Sequence, residues 1–176
     1  ATCAPARRLG GPHHVVHPGL VDCHQHASQA LVRSLIAHEL PMIYRLYLPA
    51  EDAMTDEEVT LSTTLLQAQL LRSGVTTFAE TTATPHHEEL IVNAVEAVGM
   101  RCSMARGAGD QDSHHAAFYS QIRDRSWARA RAGEAEADLA RTEAFLDRFD
   151  PAGSGRIKGG VLASHLTGCS PAYVRG

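Results

Sequence analysis

The sequence predicts an α/β protein in which four parallel strands alternate with helical crossovers. Three observations carry that class. Short β-branched or apolar runs recur along the chain as "GLVDCH", "VTTFAE", "MRCSMAR" and "IKGGVLASH". Stretches of helical period stand between them, and Gly74 and Gly99 close two of those stretches. Each intervening segment is long enough for a right-handed crossover between parallel neighbours.

Taken in order, the residues up to about His17 carry Pro, Gly and Arg-Arg without a period and read as a tail. "GLVDCH", bounded by Pro18, suits the start of a buried strand. An amphipathic stretch is expected over Ala30 to His38, then a proline-punctuated loop as far as Glu51. Thr55-Asp56-Glu57-Glu58 is a capping box, in which the Thr55 hydroxyl satisfies an orphan helix amide and Glu58 reaches back. Val59, Leu61, Leu65, Leu66, Leu70 and Leu71 follow at near-helical spacing, and Gly74 ends the helix as a left-handed residue. "VTTFAE" is the second strand.

Pro85 suits a first helical position, and "HEELIVNAVEAV" runs on as a helix to Gly99. "MRCSMAR" is the third strand, followed by the polar loop "GAGDQDS". Residues from about Ser113 to Phe149 read as mostly helical, with Leu139, Thr142, Phe145, Leu146 and Phe149 as the clearest stripe. "DPAGSG" breaks that helix, and "IKGGVLASH" is the fourth strand. Parallel sheets bury both faces. Four strands with helices on one side leave one face uncovered, so internal evidence points to part of a larger barrel or open sheet.

Composition narrows the function classes. The 176 residues carry a net charge of −4 with acids and bases interspersed, which argues against nucleic acid as a partner. The one run of bases, Arg123 to Arg131, is interleaved with alanines and reads as a solvated helix face. No apolar run approaches the roughly 18 residues of a membrane span, and "ATCAPARRLGG" has no apolar core like that of a signal peptide. Cys3, Cys23, Cys102 and Cys169 are scattered, which suits reduced thiols and a cytoplasmic setting.

The chemistry concentrates in "HPGLVDCHQHASQ", His17 to Gln29. On a strand, Asp22, His24 and His26 point one way and Cys23 and Gln25 the other. Two imidazoles on one face can reach a single metal ion, zinc or iron(II) being the natural occupants of nitrogen ligands. The end of a first strand is also where a barrel enzyme builds its site. A bare His-x-His is nevertheless common, and two polar residues at a frayed strand end would look the same.

Here the pattern resembles a known family. Pro-Gly, two aliphatics and an acid before His-x-His are similar to the first-strand signature of the amidohydrolase superfamily. "LLQAQLLRSGVTTFAE" is similar to that family's leucine-rich helix running into Gly-Val-Thr-Thr. The resemblance covers about Val16 to Arg175; within the superfamily the chain resembles the branch of guanine deaminase, S-adenosylhomocysteine deaminase and the triazine hydrolases, and "HASQ" followed by "LP" and then "LPAE" is similar to guanine deaminase in particular. It implies a (β/α)8 TIM barrel, of which this chain would hold strands one to four. Residues 1–17 would then be a tail or the remnant of a preceding β-sandwich, and 18–176 the N-terminal half of the barrel.

The same resemblance implies that His24 and His26 ligate one divalent metal ion, zinc ahead of iron, and that a small heterocycle is the substrate. Gln29, three residues after the second histidine, would approach the substrate ring with an amide that both donates and accepts. The alternative for Gln29 is an N-terminal helix residue bonding its own backbone. His165, in "LASHLTGCS", would contact substrate from the end of the fourth strand. The remaining metal ligands and the acid–base groups of the family, carried on strands five, six and eight, are expected beyond Gly176.

The implied reaction is hydrolysis of a C–N bond, the deamination of a purine-, pterin- or triazine-like ring by a metal-activated hydroxide, with no activity in this stretch alone. Amide hydrolysis or dechlorination on the same scaffold is the alternative. A non-catalytic half-barrel that pairs with another chain, or a homo-oligomer, is a third.

Binuclear members of the family bridge two metals with a carboxylated lysine at the C-terminal end of the fourth strand; Lys158, the only lysine, lies at the N-terminal end of that strand, so the resemblance implies one metal ion. His86-His87 and His114-His115 are expected to be solvated, because adjacent side chains diverge on a helix. His13, His14 and His17 in the tail read the same way. Glu80, at the end of the second strand, either orients a ligand or caps the loop.

Overall fold

A computed structural model describes residues 10–35, 46–82, 87–108, 135–149, 155–163 and 169–175. Strands β1 (Leu20–Gln25), β2 (Val75–Thr82), β3 (Arg101–Ala108) and β4 (Ile157–Ala163) form one parallel sheet in the order β1-β2-β3-β4. The helices among the described residues are α1 (Leu48–Ala53), α2 (Asp56–Arg72), α3 (Glu88–Val98), α4 (Ala135–Phe149) and α5 (Pro171–Arg175). Each strand pairs with its successor in the chain, the arrangement of consecutive strands in a (β/α)8 barrel.

Local chemistry explains most of the boundaries. The capping box at Thr55 is complete: its hydroxyl accepts from the Glu58 amide, and the Glu58 carboxylate accepts from the Thr55 amide at 2.9 Å. Gly74 and Gly99, the two expected stops, sit at φ +81° and +85°, where a side chain would be strained. Gly19 is needed for a different reason. A Cβ there would lie 2.0 Å from the Thr76 hydroxyl, so any side chain would force β1 away from the start of β2.

The two faces of the sheet differ. Phe78, Glu80, Cys102, Met104 and Arg106 are buried under helices, while the alternate positions Thr77, Ala79, Thr81, Ser103 and Ala105 are half-buried or exposed. On the covered face, Val59, Leu66 and Leu70 of α2 join Phe78, Met104, Ile91, Val92, Val95 of α3 and Phe145 of α4 in one core. Truncating Phe78 to alanine in such a core costs about 3–5 kcal/mol. Among the described residues no helix is long and apolar enough to cross a membrane.

Several expectations need correction. The inward face of α2 is Val59, Ser62, Thr63, Leu66, Gln67 and Leu70, whereas Leu61 and Leu71 are 58% and 46% exposed. Polar residues are tolerated inside because each finds a carbonyl: Thr63 Oγ1 donates to Val59 O and Gln67 Nε2 to Ala94 O at 3.1 Å. No α-helix begins at Ala30. Instead a 3-10 turn spans Ala27–Leu31, and residues 36–38 of the expected helix lie outside the described residues.

Ser62 holds that turn. Its hydroxyl takes the Ala27 carbonyl at 2.8 Å and accepts the Leu31 amide at 3.2 Å, so these two groups do not close an α-type bond over residues 27–31. The expected loop up to Glu51 in fact contains α1, which accepts Pro49 in a first turn where no intrahelical donor is needed. Of the long helix expected over Ser113 to Phe149, the part from Ala135 is described; Pro85 and residues 113–134 lie outside.

Candidate metal centre

β1 ends at Gln25, and His26 follows in extended conformation as the N-cap of the 3-10 turn. The rings of His24 and His26 meet edge to face, their centroids 4.9 Å apart. Asp22 shapes the strand end, its carboxylate accepting from the His24 amide at 3.1 Å and from Gln25 Nε2 at 2.6 Å. The β1–β2 register shifts across this segment. The structure therefore brings the two predicted ligands together at the C-terminal rim of the sheet.

The protonation of His26 follows from its partner. Its Nδ1 lies 2.8 Å from the Thr81 carbonyl oxygen, which can only accept, so in the neutral ring Nδ1 carries the proton and Nε2 the lone pair. A ring oriented in this way is ready to ligate a cation through Nε2. His24 is exposed beside it. Two imidazoles of this kind fit two positions of a zinc or iron(II) site. Among the described residues no three His, Cys, Asp or Glu side chains converge as a ligand set, so further donors are needed for a complete sphere.

Residues just past the histidines are pinned from three elements. The Ala27 amide donates to Glu80 Oε2 at 2.8 Å, Ser62 of α2 holds the Ala27 and Ser28 carbonyls, and Glu51 of α1 receives the Ser28 hydroxyl. Gln29 Nε2 donates to the same Glu51 oxygen at 2.6 Å. Gln29 thus bonds a carboxylate on another helix, not its own backbone. A hollow of about 430 Å³ is lined by His24, His26, Gln29, Arg33, Tyr47 and Gln69, among others, a size suited to a small molecule.

The other predicted residues divide. His165 lies outside the described residues, as do His86, His114 and His115. His87 was expected to be solvated but is 1% exposed, because it caps α3 where that helix closes over the sheet. His13, His14 and His17 are exposed as expected. Lys158 is the second residue of β4, at the end opposite the histidines. Cys102 is no nucleophile: burial, with the neighbouring Glu80 carboxylate, pushes its thiol far above the ordinary thiol range.

Glu51, Ser62 and Glu80 were not singled out as a set. The available signal was positional: Ser62 falls on the inward stripe of α2, and Glu80 lies two residues after Phe78 on the covered face of β2.

A parallel sheet with a histidine pair at its C-terminal rim belongs to the class of barrel-type α/β proteins, and comparison with known proteins gives the family. Residues 15–176 match the Amidohydrolase family, and the chain belongs to that family. It is 31% identical over 166 residues to 5-methylthioadenosine/S-adenosylhomocysteine deaminase of Desulforudis audaxviator, covering 92% of this chain and 33% of that protein.

Guanine deaminase from C. acetobutylicum, solved with guanine in its active site, superposes with a TM-score of 0.66 at 17% identity, over 87% of this chain and 34% of that one. Atrazine chlorohydrolase from Arthrobacter aurescens TC1, solved with zinc, gives a TM-score of 0.56 at 14% identity, over 82% and 34%. At these identities the likeness to the two solved structures is one of fold. The expected family and the expected barrel architecture are both borne out. The chain spans about a third of the length of these relatives.

Proposed function

We propose that this chain contributes the first metal ligands and part of the substrate pocket of a zinc-dependent barrel hydrolase that deaminates a purine-like ring. The observation that carries the reading is the His24–His26 pair at the rim, with His26 Nδ1 committed to the Thr81 carbonyl and Nε2 left to ligate. His24 and His26 would hold the zinc ion, which would supply Lewis acidity and lower the pKa of a bound water to about 7. In the overall reaction water supplies the oxygen, the ring carbon loses its amino group, and ammonia leaves. Gln29, steadied by Glu51, keeps its side-chain carbonyl for the edge of the ring. His165 is assigned to the same pocket by its place after β4. The acid–base groups of the reaction are assigned to other strands of the barrel, and Gln29 and the histidines are not asked to supply them.

Two measurements test this. Elemental analysis of the purified chain is expected to find zinc in preference to iron, lost in a His24→Ala/His26→Ala variant. Metal retained by that variant would sink the ligand assignment. A chimera in which this chain replaces the corresponding third of the Desulforudis relative is expected to release ammonia from 5-methylthioadenosine, S-adenosylhomocysteine or guanine. A chimera that folds and binds zinc but releases none would remove the deaminase reading. Chloride from a chlorotriazine, or an amine from an amide substrate, would then identify the alternative hydrolysis.

A further inference from the structure

β2 touches His26 at three successive points. Thr81 Oγ1 donates to the carbonyl of Gln25, the residue before it, at 3.3 Å. The Thr81 carbonyl receives the ring itself at 2.8 Å, with Thr81 Oγ1 3.2 Å from the same nitrogen. The Glu80 carboxylate receives the amide of Ala27, the residue after it, at 2.8 Å. Glu80 and Thr81 are adjacent, and their side chains leave β2 on opposite faces, one under the helices and one at the open side. His26 is therefore gripped from both faces of the sheet at once.

The cost of the arrangement argues for a purpose. Glu80 is 1% exposed, on a face it shares with Phe78, Met104, Cys102 and Arg106. A carboxylate in such surroundings is a poor choice for stability alone, since an apolar residue of similar volume would fill the space without desolvating a charge. Its acceptor oxygen, though, is charged and fixed, which makes a short, directional bond to the Ala27 amide.

We propose that Glu80 and Thr81 act as a unit of positioning residues that hold His26 in the Nδ1–H tautomer with Nε2 presented for a ligand. The proposal rests on the metal reading for its purpose but not for its test, because the tautomer is observable in the metal-free chain. Histidine ring nitrogen NMR on the metal-free 176-residue protein at pH 8 is expected to show His26 as Nδ1–H. In Glu80→Ala, and in Thr81→Val, which keeps the Thr81 carbonyl but loses the hydroxyl that holds the Gln25 carbonyl, the fraction of His26 in the Nδ1–H form is expected to fall. Glu80→Gln, whose carbonyl can still accept the Ala27 amide, and Thr81→Ser, which restores the hydroxyl, are expected to return the wild-type signal.

Zinc affinity, measured by competition with a chromophoric chelator, is expected to fall about 10- to 100-fold in Glu80→Ala and Thr81→Val and to recover in the two conservative variants. Should Glu80→Ala fail to fold, Thr81→Val, which deletes only a hydroxyl, decides the matter on the same two readouts. A wild-type ring already mixed between tautomers, or an Nδ1–H signal unchanged in both disruptive variants, overturns the positioning role. A tautomer shift on mutation that leaves zinc affinity unchanged overturns the link between the positioning and the metal, while the positioning role stands.

Discussion

Glu80 and Arg106 are both charged, both nearly inaccessible at 1% and 2% exposure, and both stand on the helix-covered face of adjacent strands. Their surroundings set them to different work. Glu80 receives a backbone amide from the turn that carries the histidines. Arg106 instead meets Glu88 at the start of α3, 3.1 Å away, and donates to the Thr142 hydroxyl of α4 at 2.9 Å. One buried charge fixes a piece of chain beside the site; the other ties two helices to the sheet. The difference teaches where to look for loss of function and where to look for loss of fold.

Breaking the helix-tying cluster is the severest test. Arg106→Ala leaves the Glu88 carboxylate without its guanidinium, and denaturant unfolding is expected to show a loss of about 3–5 kcal/mol. At permissive temperature, zinc uptake by the folded fraction should be unaffected, and a parallel loss of zinc affinity would erase the distinction. Ser62→Ala sits on the other side of it. Stripping the hydroxyl from the Ala27 and Ser28 carbonyls is expected to cost about 1–3 kcal/mol and to weaken zinc binding as well.

Two smaller effects sharpen the contrast by touching neither cluster. Thr55→Ala removes the cap of α2, and a drop of about 1 kcal/mol in unfolding free energy with unchanged zinc affinity is expected. Arg148 pairs with Glu89 through two bonds, one of 2.8 Å, but both side chains are half exposed. Arg148→Ala should therefore cost less than about 1 kcal/mol.

That last contribution has a pH signature. The guanidinium hydrogen bond holds the Glu89 carboxyl below its ordinary value of 4.5. The folded state thus favours the ionised form, and the pair's stabilisation is present above about pH 4.5 and lost as the pH falls through the lower folded value. Urea titrations of wild type and Arg148→Ala should converge in acid; a gap that widens there would contradict the assignment.

Elements governed by short-range chemistry were legible in the sequence. The Thr55 box, the left-handed glycines at 74 and 99, the four strands and the inward stripe of α4 all depend on residues within a turn or two of one another. So did the histidine pair, whose spacing alone sets both rings on one rim. What escaped depended on distant partners. Ser62 holds the turn at Ala27 and Ser28 from more than thirty residues away, and Glu51 and Glu80 reach Ser28 and Ala27 from other elements. The enclosure of His87 and Arg106 likewise follows from where α3 and α4 come to rest, which no local pattern near those residues encodes.

The strand order carries a consequence for how the molecule assembles. The crossover from β2 through α3 to β3 is less than half as long as the connections on either side of it. Closing a shorter loop sacrifices less chain entropy, so β2, α3 and β3 are the expected nucleus, with β1 adding to an edge already made. Kinetically, substitutions at Ile91 should slow folding, whereas those in β1 should mainly speed unfolding. The strand that carries His24 and leads into His26 would then be a late arrival that docks against Glu80 and Thr81 already in place.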